Sequence, residues 1–257
     1  MKLELDRVTK RYTHRKRDVT ALRETTFGVA ENEFVSLVGI SGCGKSTLLS
    51  LVAGLHRPSG GTILLDGSEV RGPGADRGVV FQTYTLLPWL TARQNIEFAL
   101  KETRSGESRP AERARDLLHE VGLGDFTDAY PHQLSGGMRQ RVAIARVLAY
   151  RPEVLLMDEP FGALDALTRT LMQELLMKVW EEHKLTVLFV THDINEAVFL
   201  SDRAIVMSRN EDRFLTDVRI DLPRPRTTDV LQTPRFRELS AELLGLVRDE
   251  ARAASHF

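Results

Sequence analysis

The chain has 257 residues, and its 35 Lys and Arg stand against 36 Asp and Glu for a formal net charge of -1, so no global field gathers nucleic acid or an anionic membrane. With 42% hydrophobic and 28% charged residues it reads as an ordinary globular protein, long enough for one large α/β domain or a core with a small appendage. Its apolar runs, such as 154–157 and 186–190, fall far short of the roughly 20 residues of a membrane helix; the first residues do not read as a secretion signal, and the single cysteine, Cys43, fits a reducing, cytosolic compartment.

Residues 2–8 alternate polar and apolar, and 62–65 with 68–70 flank Asp66-Gly67, a hairpin turn signal, so a small antiparallel sheet is expected. Residues 33–38 form a short apolar strand that runs into a glycine loop. From 45 to 55, apolar residues at 48, 49, 51, 52 and 55 predict a helix with a buried face. Thr91 with Gln94 makes a capping box, Pro110 suits a first helical turn, and Ala114, Leu117, Leu118 and Val121 follow helical spacing. Residues 90–150 are therefore expected to be a helical insertion. Strand and helix then alternate over 154–158, 167–183, 186–190, 194–200 and 204–208, which predicts a mostly parallel sheet covered on both faces. The tail from 209 holds one expected strand, a break at Pro223-Arg224-Pro225-Arg226 and an amphipathic helix near 235–250.

Three stretches carry chemistry. Gly39-Ile40-Ser41-Gly42-Cys43-Gly44-Lys45-Ser46, followed by Thr47, fits the phosphate-loop pattern G-x-x-x-x-G-K-[ST] in full, with a strand before and a helix after. Its glycines let successive N–H groups point at phosphate oxygens, Lys45 is expected to reach the β- and γ-phosphates, and the Ser46 hydroxyl to ligate Mg²⁺. Cys43 reads either as a thiol activated by the helix N-terminus or as a small residue at a permissive position. The apolar run 154–157 ends in Asp158-Glu159, two carboxylates at the strand end where ligands of open α/β sheets bind. Alone, that pair fits equally a helix-capping pair or a metal holder, Asp158, beside a base or water-orienting group, Glu159.

The third stretch is Leu134-Ser135-Gly136-Gly137-Met138, in which Ser135 stands where an N-cap would and the glycines bare their N–H groups before a basic helix. It is either an ordinary capped helix or a second anion site in a chain with one phosphate loop. In the second case the simplest occupant is an ATP bound to a partner subunit.

With these motifs in this order, the chain resembles the ATP-binding subunits of ABC transporters over nearly its whole length. The resemblance implies a RecA-like P-loop α/β core with an antiparallel β subdomain and a helical signature subdomain: 1–89 and 151–208 as core and β subdomain, 90–150 helical, 209–257 a short C-terminal strand and helix. It implies ATP and Mg²⁺ as cofactors, with Asp158 and Glu159 in the strand, Gln82 of Val79-Val80-Phe81-Gln82 sensing Mg²⁺ and the lytic water, His192 of Val190-Thr191-His192-Asp193 on the γ-phosphate, Asp165 bridging two subunits and Tyr12 stacking on adenine. Each also has a plain alternative: a solvated loop amide for Gln82, a strand-end core histidine for His192, simple packing for Tyr12. Met138 departs from the family's usual glutamine.

Within that family, residues 72–82, Leu87-Pro88-Trp89-Leu90 and 158–165 are similar to the nitrate, sulfonate and taurine importer group, and Pro223-Arg224-Pro225-Arg226 to a tail motif of that group. The implied partners are a second cassette, identical or paired, an integral-membrane permease docked near Leu86, Leu87, Trp89 and Leu90, and a substrate-binding protein acting indirectly. The implied place is the cytoplasmic face of the inner membrane. The competing classes are a soluble ABC protein working on DNA or ribosomes, a P-loop kinase, and an importer ATPase for another solute; no fused second cassette, coiled-coil insertion or zinc-binding cysteines support the first of these.

Overall fold

The computed structural model describes residues 1–14, 17–103, 105–208 and 215–254. The chain divides into two compact units, Met1–Gly74 with Lys184–Phe257, and Ala75–His183.

In the first unit, β1 (Leu3–His14), β2 (Arg17–Val29), β4 (Gly60–Leu65) and β5 (Ser68–Glu69) form an antiparallel sheet in the order β2-β1-β4-β5. Leu3 pairs with Val29 on one side and Leu65 on the other, and Leu3, Leu5, Val8, Val29 and Ile63 are buried. The expected hairpin at Asp66-Gly67 is present between β4 and β5, but β2, the long antiparallel partner of β1, was not expected. Its sequence carries polar residues along much of its length, and bulges after Leu5, Val8 and Lys10 shift the pairing phase, which erases a clean two-residue alternation.

The parallel part of this unit is β9-β3-β8, with β3 (Phe34–Val38) between β8 (Thr186–Val190) and β9 (Arg203–Val206), and β10 (Thr216–Arg219) antiparallel on the edge. Every residue of β3 and β8 is buried, as expected of central parallel strands covered on both faces. The strand expected in the tail is β10; residues 209–214 of that tail lie outside the described residues. Helix α1 (Lys45–Val52) follows β3, and α6 (Ile194–Leu200) follows β8. Helix α1 stops before 55: Leu55 lies beyond a turn at Gly54 and is exposed, so it is not part of the buried face.

Helix α7 (Pro234–Ala254) packs on α6, burying Phe236, Leu239 and Leu243. The Pro-Arg-Pro-Arg break is a fastening point. The buried Arg226 guanidinium donates to the carbonyls of Val198, Phe199 and Ser201 at the end of α6 and to those of Ile220 and Leu222. Helix ends leave such carbonyls without partners, and a guanidinium supplies donors for several at once. Burial holds the Arg226 pKa down to about 10.

In the second unit β6 (Arg77–Val80) runs parallel to β7 (Val154–Asp158). Helices α2 (Ala92–Glu102), α3 (Pro110–Glu120) and α4 (Gly136–Leu148) pack together over Ile96, Leu100, Leu117, Leu118, Val142 and Ile144, and α5 (Ala166–His183) follows β7. The capping box is real: Gln94 N donates to Thr91 Oγ1 at 3.3 Å and Thr91 N to Gln94 Oε1 at 2.9 Å. Strand β6 was not expected; it has four residues and contains Gly78, where a Cβ would sit 2.1 Å from Val147 Cγ1 of α4. Among the described residues no helix is long and apolar enough to cross a membrane.

Candidate functional site

The phosphate loop lies in the first unit between β3 and α1. Gly44 caps α1 with φ 101°, and a Cβ there would stand 2.6 Å from the Ala21 carbonyl oxygen, so only glycine fits. Gly39 is bound similarly, since a Cβ would meet the Met207 carbonyl oxygen at 2.7 Å. The first intrahelical bond closes from Leu48 N to Gly44 O, which leaves the amides of 44–47 at the positively polarised helix end. The Lys45 ammonium is held by the carbonyls of Gly39 and Ile40 at 2.8 and 3.1 Å. Ser41, Gly42 and Ser46 are exposed, Thr47 is half-buried, and Cys43 is buried with Sγ 3.8 Å from Lys45 Nζ, the position of a small packing residue.

Tyr12 on β1 is exposed, with Lys10 Nζ 5.0 Å from its ring centroid and the His56 ring edge-on at 6.3 Å. His192 is also exposed, two residues past the end of β8, and its neighbours are fastened on both sides. Asp193 caps α6 by accepting the amides of Asn195 and Glu196 at 2.8 and 3.3 Å. The Thr191 hydroxyl donates to the buried Glu196 carboxylate at 2.6 Å and accepts from Asp193 N at 3.0 Å. His192 is therefore not a core histidine but a presented one. The Thr191–Glu196 bond has no sequence signal beyond two polar residues beside an apolar run.

In the second unit, Asp158 is the last residue of β7 and Glu159 follows with φ 44°. A non-glycine residue in the left-handed region costs on the order of 1–3 kcal/mol and concentrates at functional positions. The turn after it is set by Gly162 N donating to Glu159 O at 3.2 Å and by the buried Phe161 and Leu164. A Cβ on Gly162 would lie 3.5 Å from Gln82 Nε2 and 3.9 Å from Glu159 Oε2, so one small gap borders both side chains.

The Leu134–Met138 stretch enters α4 as expected. Ser135 is the N-cap, its Oγ accepting from Met138 N at 3.3 Å, so the departing residue takes part through its backbone amide. Arg139 pins the approach by donating to Leu134 O at 2.9 Å and lies 5.2 Å from the Tyr84 ring. A Cβ on Gly136 would stand 3.1 Å from the Tyr84 hydroxyl. Asp165 caps α5: its carboxylate accepts Thr168 N at 3.0 Å and the Thr168 hydroxyl at 2.7 Å, which hold its pKa below the usual carboxylate value. Tyr84 and Thr168 were not singled out in the sequence. Neither has a charge or a motif spacing, and each matters through what it packs against.

Of the residues expected to dock a permease, only Trp89 is exposed; Leu86, Leu87 and Leu90 are half-buried. The buried Asn95 side chain holds that segment, donating to the carbonyls of Leu87, Leu90 and Thr91 and accepting Leu87 N.

Residues 22–162 match the family model described as ABC transporter. The chain is 49% identical, over 97% of its length and 92% of the relative's, to an uncharacterized ABC transporter ATP-binding protein of Methanocaldococcus jannaschii. It is 46% identical to a nitrate import ATP-binding protein of Synechocystis sp., covering 96% of each chain, and 45% identical to a bicarbonate transport ATP-binding protein of the same organism, covering 92% and 86%. A solved ATP-binding cassette in a dimeric post-hydrolysis state bound to ADP and Pi superposes with a TM-score of 0.75 at 35% identity, over 86% of this chain and 100% of that one. The chain belongs to the ABC transporter family, as an ATP-binding subunit with the RecA-like P-loop fold whose ATP hydrolysis is coupled to transport.

Proposed function

We propose that this subunit drives an importer for a small anion, with two copies or two paired cassettes binding ATP in common and a membrane permease receiving the motion. The observation that carries the reading is the presence in one chain of two helix N-termini built to face anions, α1 behind Gly44-Lys45 and α4 behind Ser135-Gly136-Gly137. The first serves the chain's own ATP, and the second serves the ATP of a partner copy.

In this reading Tyr12 stacks on adenine, and the amides of 39–47 with Lys45 take the phosphates. Glu159 orients and deprotonates the attacking water, Gln82 and His192 contact the water and γ-phosphate, and Asp165 meets the partner copy. Ser46, Gln82 and Asp158 offer hydroxyl, carboxamide and carboxylate oxygens, a hard donor set that suits Mg²⁺ and not a softer metal. When bound, that ion offsets negative charge on the phosphates. Trp89, exposed on a segment fixed by Asn95, is the contact offered to the permease at the cytoplasmic face of the membrane.

Relatives named for nitrate and bicarbonate favour a small planar oxyanion over a sulfonate or taurine as cargo. The test is uptake of labelled nitrate, bicarbonate and an aliphatic sulfonate by vesicles holding the neighbouring-gene permease, its binding protein and this subunit. ATP-dependent uptake of one oxyanion supports the reading, and ATPase activity insensitive to any permease overturns it.

A further inference from the structure

Thr85 is a β-branched residue with φ 48°, in the left-handed region that such residues rarely enter. Three bonds from one side chain meet this turn, two at Thr85 and one at Tyr84. Arg146 of α4 donates Nη1 to Thr85 O at 2.7 Å, and Nη2 to Thr85 Oγ1 at 2.8 Å and to Tyr84 O at 3.3 Å. All of these bonds go to two residues of one loop, the loop that begins at Gln82. The helix behind the guanidinium is itself immobilised against β6, where Val147 fills the space beside Gly78.

We infer that Arg146 is a positioning residue that holds segment 82–85 in its strained turn and so sets where the Gln82 carboxamide lies. The physical argument is one of balance. A turn that is unfavourable for threonine persists only where its surroundings over-determine it, and a planar guanidinium with fixed donors is suited to fix two carbonyls and a hydroxyl together. Lysine cannot reproduce that fork. Because α4 also carries Ser135 at its other end, the same helix presents the anion-binding cap and grips the glutamine loop. The inference rests on the reading of Gln82 given above.

The experiment uses the full chain. Hydrogen–deuterium exchange of the peptide covering 82–90 is compared between wild type, Arg146→Lys, Arg146→Met and Arg146→Met with Thr85→Gly, alongside kcat and KM for ATP. Glycine adopts a positive φ without strain, so Thr85→Gly should keep the turn when the clamp is gone. The expected result is faster exchange confined to 82–90 and a kcat about tenfold to hundredfold lower with KM little changed in the Arg146 variants, with both largely restored by Thr85→Gly. Exchange in 82–90 unchanged from wild type, or loss spread over the whole chain and not restored by Thr85→Gly, overturns it. If Arg146→Met fails to fold, Arg146→Lys with and without Thr85→Gly gives the same comparison. Gln82→Ala separates the two claims. Full turnover in that variant removes the role read for Gln82, while the exchange data still decide whether Arg146 holds the loop.

Discussion

The methyl group of Thr168 occupies the place where Gly137 would carry a side chain: a Cβ on Gly137 would stand 2.5 Å from Thr168 Cγ2. The second glycine of the Ser-Gly-Gly stretch is thus required by packing against α5 as well as by any anion. Thr168 cannot swing aside at low cost, because its hydroxyl and amide both hold Asp165.

Gly137→Ala should therefore destabilise the chain. Alanine gains about 1 kcal/mol of helix propensity over glycine, whereas forced overpacking costs about 1–3 kcal/mol, so the clash wins by a small margin. Replacing Thr168 with Ser removes the offending methyl and keeps the hydroxyl. Thermal melts should show Gly137→Ala lowered and Gly137→Ala with Thr168→Ser near wild type; a single variant as stable as wild type would show that the contact yields freely.

Asp165 reports its own bonds to Thr168 through its titration. Its folded pKa is depressed, first by the Thr168 amide and then by the Thr168 hydroxyl. The sign follows: this carboxylate stabilises the fold above its unfolded pKa, and that contribution is lost as pH falls through the folded value. Thr168→Val removes the hydroxyl and leaves the amide, so the Asp165 pKa should rise and still stay below the usual carboxylate value. A carboxyl-carbon chemical-shift titration measures it directly, and an unchanged midpoint would count against the hydroxyl's share.

Gln140 on α4 is fully buried, and neither its amide oxygen nor its nitrogen meets a hydrogen-bond partner among the described residues. A buried polar group without partners costs about 1–3 kcal/mol, while methionine has nearly the same length and no such cost. Gln140→Met should raise the melting temperature and leave ATP affinity alone. A fall in melting temperature would mean that the carboxamide is satisfied.

Much of this was legible in the sequence because the signals were local. The phosphate loop, β7 ending at Asp158 just before Glu159, the buried strand β8 and the caps at Thr91 and Ser135 each rest on residue type and spacing within one element. Strands β2 and β6 escaped because bulges broke the period of one, and the other is four residues long with a glycine inside. Tyr84, Arg146 and Thr168 escaped for a different reason, as did the carbonyl contacts of Arg226, whose motif was noted. Their importance lies in partners far along the chain, 61 residues away in the case of Arg146 and Thr85, and no periodicity announces such a pairing.

The central claim is that Ser135 of one copy completes the ATP site of another while Glu159 performs hydrolysis. Light scattering of Glu159→Gln with ATP and Mg²⁺, with and without Ser135→Arg, tests it most directly. Glu159→Gln should bind ATP, hydrolyse at least about 100-fold more slowly and accumulate as a dimer, and adding Ser135→Arg should return it to a monomer with its ATP affinity kept. A dimer that persists with Ser135→Arg, or near wild-type turnover in Glu159→Gln, would contradict the account.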